Sequence, residues 1–318
     1  MSTTKPIIRI KKVVKTYGET KALDGLSFEV AKGEIVGLLG PNGAGKTTII
    51  KVLSTLLKPD SGSATVDGKD ILKNPQEVRE SIGLAGQFAA VDDILTGRQN
   101  LEMVGRLYHM PKADIKKQIE QVLKQVNLSH VADKSVKTYS GGMRRRLDLG
   151  ASLMFTPKVL FLDEPTTGLD PKTRRDLWAT IRGLVNQGVT LLLTTQYLEE
   201  ADELADRIVV INKGKVIAEG TSTQLKRQLR GDVLELELKN TSDVTKAKKI
   251  LHELLKTEIS SEQDIKQLRM TVKHGVADLK KALDKLGESK IAVNHLTLAQ
   301  PTLDEVFLEL TEGGEDIE

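Results

Sequence analysis

The chain has 318 residues, of which 39% are hydrophobic and 29% charged, and its formal net charge is only +3. This length favours two domains, or one domain with an appendage, and the composition excludes a disordered or fibrous chain. The small net charge does not indicate a protein that coats nucleic acid, and the lack of cysteine excludes disulfides, thiolate metal sites and cysteine nucleophiles.

The first half of the chain begins with strands and continues with helices. Residues 7–39 predict three β-strands, and a glycine-rich turn leads from the third strand into a helix at 47–57. A hairpin is predicted at 63–71. Helical periodicity over 97–131, divided at Pro111, then predicts a helical insertion.

Helices and strands alternate in the next segment, which predicts an α/β fold with a largely parallel sheet. The carboxyl ends of its strands should form the ligand crevice. The predicted elements are helices at 141–155, 173–187 and 198–205, strands at 159–162 and 189–193, and a final hairpin up to Gly220.

The character of the sequence changes after about residue 220, and an α+β appendage is predicted there. We expect a first domain at 1–222, with a helical subdomain at about 95–155, and an accessory or regulatory domain at 223–318. In the simpler interpretation, two apolar faces of the appendage meet and form its core. In the other, part of the final helix docks on the first domain or on a second copy of the chain and regulates closure of the first domain. The faces comprise Leu234, Leu236 and Leu238 on a strand, and Leu303, Val306, Phe307 and Leu310 on the final helix.

The segment 40–47, GPNGAGKT, matches the phosphate-loop pattern G-x-x-x-x-G-K-[ST] between a strand and a helix. Backbone N–H groups of such a loop surround phosphate oxygens, and the following helix adds its positive end. Lys46 supplies charge to the β- and γ-phosphates, and the Thr47 hydroxyl is a ligand for Mg²⁺. Thr48 is either a phosphate contact or simply the next helical residue. The residues predicted to bind ATP here are Gly40, Pro41, Asn42, Gly43, Ala44, Gly45, Lys46, Thr47 and Thr48.

The segment 159–164, VLFLDE, places two acidic residues at the end of an apolar strand. Asp163 is expected to hold Mg²⁺ through its water shell, and Glu164 is expected to direct a carboxylate at the attacking water. Adjacent carboxylates repel each other, so the pair favours a metal between phosphate and protein. An acidic start to an exposed turn before Pro165 is the alternative.

Ser140-Gly141-Gly142 begins a predicted helix. Ser140 can cap this helix, and the glycines allow a phosphate to approach its N-terminus. Because the chain already has one phosphate loop, a second such site implies completion by another copy; plain capping is the alternative. The arginines at 144–146 are interpreted as a solvated face rather than a nucleic-acid site.

These motifs, in this order, resemble the ATP-binding subunits of ABC transporters over residues 7–222. The pattern also includes an early aromatic residue, a glutamine after a strand, a TGLD turn and a polar residue at the end of the next strand. Residues 82–101, 194–208 and 302–311 are similar, more narrowly, to the daunorubicin-resistance type of drug-export ATPase. The resemblance implies a P-loop NTPase with a RecA-like, largely parallel sheet, an antiparallel β subdomain, the helical insertion and the C-terminal appendage.

The resemblance also implies a homodimer whose nucleotide-binding domains close head to tail around two ATP molecules. Tyr17 would stack on adenine, Gln87 would join the Mg²⁺ and water shell and sense the membrane subunit, and Asp170 would lie at the dimer seam. The plain alternatives are a strand-end aromatic residue, a surface loop residue and a helix N-cap, respectively. The residues implied to contact the γ-phosphate bound by the other copy are Ser140, Gly141 and Gly142.

The chain departs from the family pattern at three positions. The signature usually begins with leucine and ends with glutamine, where this chain has Tyr139 and Met143. The histidine that usually ends the strand is replaced by Gln196, which can donate an amide N–H to the γ-phosphate but cannot become cationic. This replacement leaves ATP binding intact and puts the rate of hydrolysis in question.

The predicted function is ATP hydrolysis that powers efflux of a drug or hydrophobic compound through separate, polytopic membrane permease subunits. The chain has no predicted transmembrane segment and is expected at the cytoplasmic face of the membrane. The predicted catalytic residues are Lys46, Glu164 and Gln196, and the predicted Mg²⁺ residues are Thr47, Gln87 and Asp163. The alternatives are a soluble ABC-type ATPase acting on DNA or ribosomes and a nucleotide-gated module with weak hydrolysis, although no nucleic-acid partner is expected.

Overall fold

The computed structural model describes residues 5–86, 91–227, 231–262, 266–299 and 301–312. The chain forms two compact units, Met1–Ser222 and Thr223–Glu318. The strands are β1 (Ile8–Tyr17), β2 (Thr20–Val30), β3 (Ile35–Leu39), β4 (Ser61–Val66), β5 (Lys69–Asp70), β6 (Ile82–Ala85), β7 (Val159–Asp163), β8 (Thr190–Thr195), β9 (Arg207–Asn212), β10 (Lys215–Gly220), β11 (Asp232–Leu238), β12 (Ile259–Glu262), β13 (Gln267–Val272) and β14 (Val293–Ala299). The helices are α1 (Lys46–Leu53), α2 (Pro75–Arg79), α3 (Gly97–Leu107), α4 (Lys112–Gln125), α5 (Gly141–Ser152), α6 (Pro171–Val185), α7 (Leu198–Leu204), α8 (Ser222–Lys226), α9 (Val244–Leu255), α10 (Val276–Glu288) and α11 (Leu303–Glu312).

A six-stranded sheet with the order β10-β9-β3-β8-β7-β6 is the centre of the first unit. Every neighbouring pair is parallel except β9 and β10, which form an antiparallel hairpin at one edge. The carboxyl ends of β3, β7 and β8 therefore lie side by side. The loops that follow these three strands begin at residues 40, 164 and 196.

Strands β7 and β8 contain continuous apolar runs, at residues 159–162 and 191–193, because both faces of the sheet are covered. Val159 and Phe161 belong to one buried core, with α1 and the antiparallel strands. Leu160 and Leu162 belong to a second core, with α5, α6 and the helical insertion. Side chains alternate across a strand, so a continuous apolar run is what a sheet buried on both faces requires.

An antiparallel sheet with the order β2-β1-β4-β5 forms the β subdomain. The predicted hairpin turns at Asp67 and Gly68, both with positive φ (50° and 74°), as a two-residue hairpin turn requires. In the helical insertion, Thr96 caps α3 through a reciprocal capping box with Gln99, and Pro111 directly precedes α4. The expected division at Pro111 is therefore observed.

The second unit is a four-stranded sheet, β12-β13-β11-β14, with its own core. The leucine face of β11 is fully buried and belongs to one cluster with Leu251 of α9 and Leu286 of α10. The two-face interpretation is wrong for the final helix: Leu303 and Val306 are buried but lie outside this cluster. The expected position Leu310 has a side chain outside the described residues.

Glu305 of α11 instead pairs with Arg269, which also contacts Glu235 at 3.2 Å on the face of β11 opposite the leucines. Among the described residues, no helix has the length and apolar character needed to span a bilayer.

Candidate nucleotide site

The phosphate loop connects β3 to α1 and is held by close backbone approaches. A Cβ at Gly40 would lie 2.4 Å from the carbonyl oxygen of Ile211 on β9. A Cβ at Gly45 would lie 2.4 Å from the carbonyl oxygen of Ala22, and Gly45 also has φ = 107°. Only glycine fits at these two positions, so the sheet and the β subdomain together fix the path of the loop.

Lys46 is almost fully buried at the start of α1. Its Nζ donates to the carbonyl oxygens of Gly40 (2.8 Å) and Pro41 (3.1 Å) and lies 3.6 Å from Oε1 of Glu164. Burial lowers the pKa of Lys46, and the negative charges of Glu164 and Asp163 oppose that effect. The ammonium group is thus directed into the loop by its own backbone.

The acidic pair at the end of β7 is arranged so that its two carboxylates have different partners. Oδ1 of Asp163 accepts hydrogen bonds from the hydroxyls of Thr194 (2.5 Å) and Thr47 (3.2 Å). Glu164 has φ = 49°, a left-handed conformation, and its N–H donates to both oxygens of Thr194. Asp163 therefore faces Thr47, while the side chain of Glu164 turns towards Lys46.

These groups border one open cleft of about 480 Å³. Tyr17, at the end of β1, lies at the cleft with about half of its surface exposed. The cleft brings together residues from five separate segments. Its lining residues are Tyr17, Ala22, Asn42, Gly43, Gly45, Lys46, Thr47, Thr48, Glu164, Thr167 and Gln196.

Three of the predicted phosphate-loop residues do not border the cleft. Gly40 and Pro41 contribute carbonyl oxygens to Lys46 and do not border the cleft, and Ala44 is buried in the apolar core. Thr48 does border it. Gln87 lies outside the described residues.

The Ser140-Gly141-Gly142 segment is separate from the cleft of its own chain. Ser140 caps α5, accepting a hydrogen bond from the N–H of Met143 at 3.2 Å. Asp170 likewise caps α6 and accepts from the N–H groups of Lys172 and Thr173. Hydrogen bonding from the Thr173 hydroxyl lowers the pKa of the Asp170 carboxyl. Both plain capping alternatives are therefore present in the structure.

Two site residues were missed by the sequence reasoning. Thr194 orients Asp163, and only its place at the end of a strand hinted at this role. Arg145 contradicts its interpretation as part of a solvated face: it is 7% exposed and contacts the backbone around Asp163 and Glu164. The neighbouring Arg144 does pair with the exposed Asp93, as expected for a solvated face.

The fold and the cleft together define a P-loop nucleotide-binding domain. A family model for the ABC transporter domain matches residues 23–167, and a model for the C-terminal domain of DrrA1-3-like ATP-binding proteins matches residues 220–311. The daunorubicin resistance ATP-binding protein DrrA2 of Streptomyces coeruleorubidus is 46% identical, over 96% of this chain and 94% of its own length.

Two solved structures share the fold. MJ1267 in its ADP conformation, an ATP-binding cassette of an ABC transporter, is 32% identical with a TM-score of 0.63, covering 70% of this chain and 93% of that one. The dimeric, post-hydrolysis ATP-binding cassette MJ0796, bound to ADP and Pi, is 27% identical with a TM-score of 0.61, covering 67% and 98%.

The chain belongs to the ABC transporter ATP-binding proteins of the daunorubicin-resistance type. It is an ATPase subunit, and ATP hydrolysis in this family is coupled to transport. The predicted family, fold class and ATPase activity are confirmed, and the alternatives of a DNA- or ribosome-directed ATPase or a weakly hydrolysing module are not favoured. ABC ATP-binding subunits dimerise and work with membrane subunits.

Proposed function

We propose that this chain hydrolyses Mg²⁺-bound ATP to power export of a drug or hydrophobic compound through separate polytopic permease subunits at the cytoplasmic face of the membrane. The observation that carries the proposal is the convergence of Lys46, Glu164 and Gln196 on one cleft, beside the phosphate loop. The DrrA2 relative is a daunorubicin resistance protein, which supports this class of compound.

The oxygen donors beside the cleft fit Mg²⁺. The Thr47 hydroxyl and the Asp163 carboxylate lie 3.2 Å apart, and hard oxygen ligands of this kind, few in number, are typical of Mg²⁺ held jointly with phosphates. Thr47 and Asp163 would hold the ion, with Gln87 as a further expected contact. The ion would neutralise charge on the phosphate oxygens.

The protein residues supply positioning and electrostatics. Lys46, fixed by two carbonyl oxygens, directs positive charge at the β- and γ-phosphates. Glu164 orients or deprotonates the attacking water, and the Gln196 amide donates to the γ-phosphate without titrating. Tyr17, which borders the cleft, stacks on the adenine.

A second copy of the chain completes each site. Ser140, Gly141 and Gly142 do not border their own cleft, and Gly141 is exposed at a helix N-terminus. They contact the γ-phosphate held by the other copy, while Asp170 lies at the seam. The dimeric form of the MJ0796 relative supports this arrangement.

Two substitutions separate hydrolysis from binding. Glu164→Gln should bind ATP but lose about 10²–10⁴-fold in turnover, the usual contribution of a general base, and should accumulate as a dimer with ATP. Lys46→Ala should weaken ATP binding itself. Glu77→Gln, which neutralises an exposed carboxylate on the same unit, is the matched control. Normal turnover in Glu164→Gln would reject the catalytic assignment, and a monomer at saturating ATP would reject the shared site.

The transport assignment is tested by purifying the tagged chain from gently solubilised membranes and identifying the polytopic protein that accompanies it. Cells that express this pair should resist daunorubicin-like compounds, and cells with Glu164→Gln in place of the wild type should not. Equal resistance in both strains would show that export does not depend on this ATPase.

The unit at 223–318 is proposed to regulate closure. Its separate core, and the absence from it of any predicted nucleotide residue, support an accessory role. A chain truncated after Ser222 should keep ATP binding, with an altered ATPase rate or altered ATP-dependent dimerisation. If rate, dimerisation and coupling to the membrane partner all stay unchanged while circular dichroism shows a folded chain, the unit is passive.

A further inference from the structure

Arg145 is a buried cation on the second turn of α5, and most of its partners are backbone carbonyl oxygens. Nε donates to Pro165 at 2.8 Å, and one terminal nitrogen donates to Asp163 at 3.1 Å and to Glu164 at 3.2 Å. The other terminal nitrogen donates to the carbonyl of Gly86 and lies 3.6 Å from a carboxylate oxygen of Asp148. Four carbonyl oxygens thus accept hydrogen bonds from the guanidinium, and the Asp148 carboxylate lies beside it as an opposite charge.

This arrangement is specific for arginine. A planar fork of five donors can bind three consecutive carbonyl oxygens and a fourth from another strand end, whereas the ammonium of lysine has three donors at one point. Burying a charge is costly unless it is paired and hydrogen-bonded. The guanidinium of Arg145 therefore holds the carbonyl groups of residues 163–165 in a defined orientation.

The turn held in this way carries Glu164 in its left-handed conformation, with φ = 49°. This conformation is uncommon for a non-glycine residue and costs free energy, so the contacts around the turn must stabilise it. The Thr194 oxygens fix the N–H side of Glu164, and Arg145 fixes its carbonyl side. The direction in which the Glu164 side chain leaves the strand end thus depends on both.

We propose that Arg145 is a positioning residue for ATP hydrolysis, which fixes the turn carrying Glu164 and links it to the helix that begins at Ser140. The inference rests on the proposed catalytic role of Glu164. In the proposed dimer, the Ser140 segment contacts the ATP bound by the other copy. Arg145 therefore connects Glu164, which acts on the ATP bound by its own copy, to the helix that contacts the ATP of the other copy.

The test uses the full chain with Arg145→Lys and Arg145→Gln, and with Arg98→Lys as the matched control. Arg98 also joins two segments of the helical subdomain, through ion pairs with Asp133 and Glu120, and neither partner lies on β7 or α5. Both Arg145 variants should lose about 10–100-fold in kcat, as a small misplacement of a catalytic group does, with KM for ATP changed less than about threefold. The control should hydrolyse ATP at the wild-type rate.

A cycle with Glu164→Gln identifies the route of the effect. If Arg145 acts through Glu164, Arg145→Lys should have no further effect on the residual rate of Glu164→Gln. Additive losses, an unchanged kcat, or a rise in KM with kcat intact in either Arg145 variant would overturn the proposal. Loss of folding in both Arg145 variants, seen by circular dichroism at the assay temperature, would also overturn it in favour of a structural role.

The two proposals fail in different ways. Wild-type turnover in Glu164→Gln would reject the catalytic assignment on which this inference rests. An inactive Glu164→Gln together with a fully active Arg145→Lys would leave the proposed function intact and reject only the positioning role.

Discussion

The first turn of α5 holds two adjacent glycines in different surroundings, and alanine should have opposite effects at them. A Cβ at Gly141 would have no neighbour within 4 Å, whereas a Cβ at Gly142 would lie 2.0 Å from Cγ2 of Thr173 on α6. Neither glycine has positive φ, so backbone freedom does not distinguish them. The pair therefore isolates the contact between the two helices.

The magnitude follows from the distance. Two carbons pack at about 3.5 Å, so Thr173 or the start of α5 must move by roughly 1.5 Å to admit the new methyl group. Thr173 resists because its hydroxyl donates to Asp170 at 2.6 Å. Overpacking of this kind costs about 1–3 kcal/mol. Gly141→Ala has no such cost and can gain up to about 1 kcal/mol in helix propensity.

The assay is urea unfolding followed by the fluorescence of Trp178, the single tryptophan of the chain, which lies on α6. Thr173→Ser removes Cγ2 but keeps the hydroxyl, so the double variant with Gly142→Ala should recover most of the lost stability. Equal stability of Gly141→Ala and Gly142→Ala, or no recovery in the double variant, would refute the reasoning.

Three further outcomes are expected. Thr194→Val removes the 2.5 Å hydrogen bond to Asp163. The Mg²⁺ concentration for half-maximal ATPase activity should therefore rise, and the free energy of unfolding should fall by about 1.5–3 kcal/mol. An unchanged Mg²⁺ titration would contradict this prediction. Burial raises the pKa of the Glu200 carboxyl above its ordinary value of 4.5. The stability that the protonated carboxyl contributes is therefore fully present below pH 4.5 and is lost as the pH rises through the raised pKa. Glu200→Gln should be more stable than wild type at pH 8, and the Tm values of the two proteins should converge at low pH. Gln196→His should add a step between about pH 6 and 7 to the ATPase profile, and an inactive variant that still binds ATP would reject the proposed contact.

Much of the fold could be predicted because local patterns and long-range packing agree. The hydrophobic run at 159–162 fits a strand buried on both faces, and Gly40 and Gly45 of the phosphate loop occupy positions where a Cβ would meet the backbone. In the second unit, Leu234, Leu236 and Leu238 lie on one buried face of a strand, as predicted. Short elements such as α2 and β12 were not predicted, because four or five residues carry too little periodicity.

The site was harder to predict from the sequence where side chains bind backbone groups. The main partners of Arg145 are backbone carbonyl oxygens. Every residue has such a group, so the sequence does not indicate which residues Arg145 contacts. Three successive arginines suggest a solvated face, and only the orientation of α5 decides which of them is buried. Thr194 was missed for a similar reason, since the alignment of β7 beside β8 brings it to Asp163.

The central position of β3 also determines when the phosphate loop can form during synthesis. β3 lies between β8 and β9, which follow it by about 150 and about 170 residues along the chain, respectively. Contacts between distant segments form late, because a long loop must close first. A nascent chain that ends before Asn212 lacks the strand against which Gly40 packs. The nucleotide site therefore matures only after two-thirds of the protein has left the ribosome, and the apolar strand β3 lacks one of its two final neighbours until then.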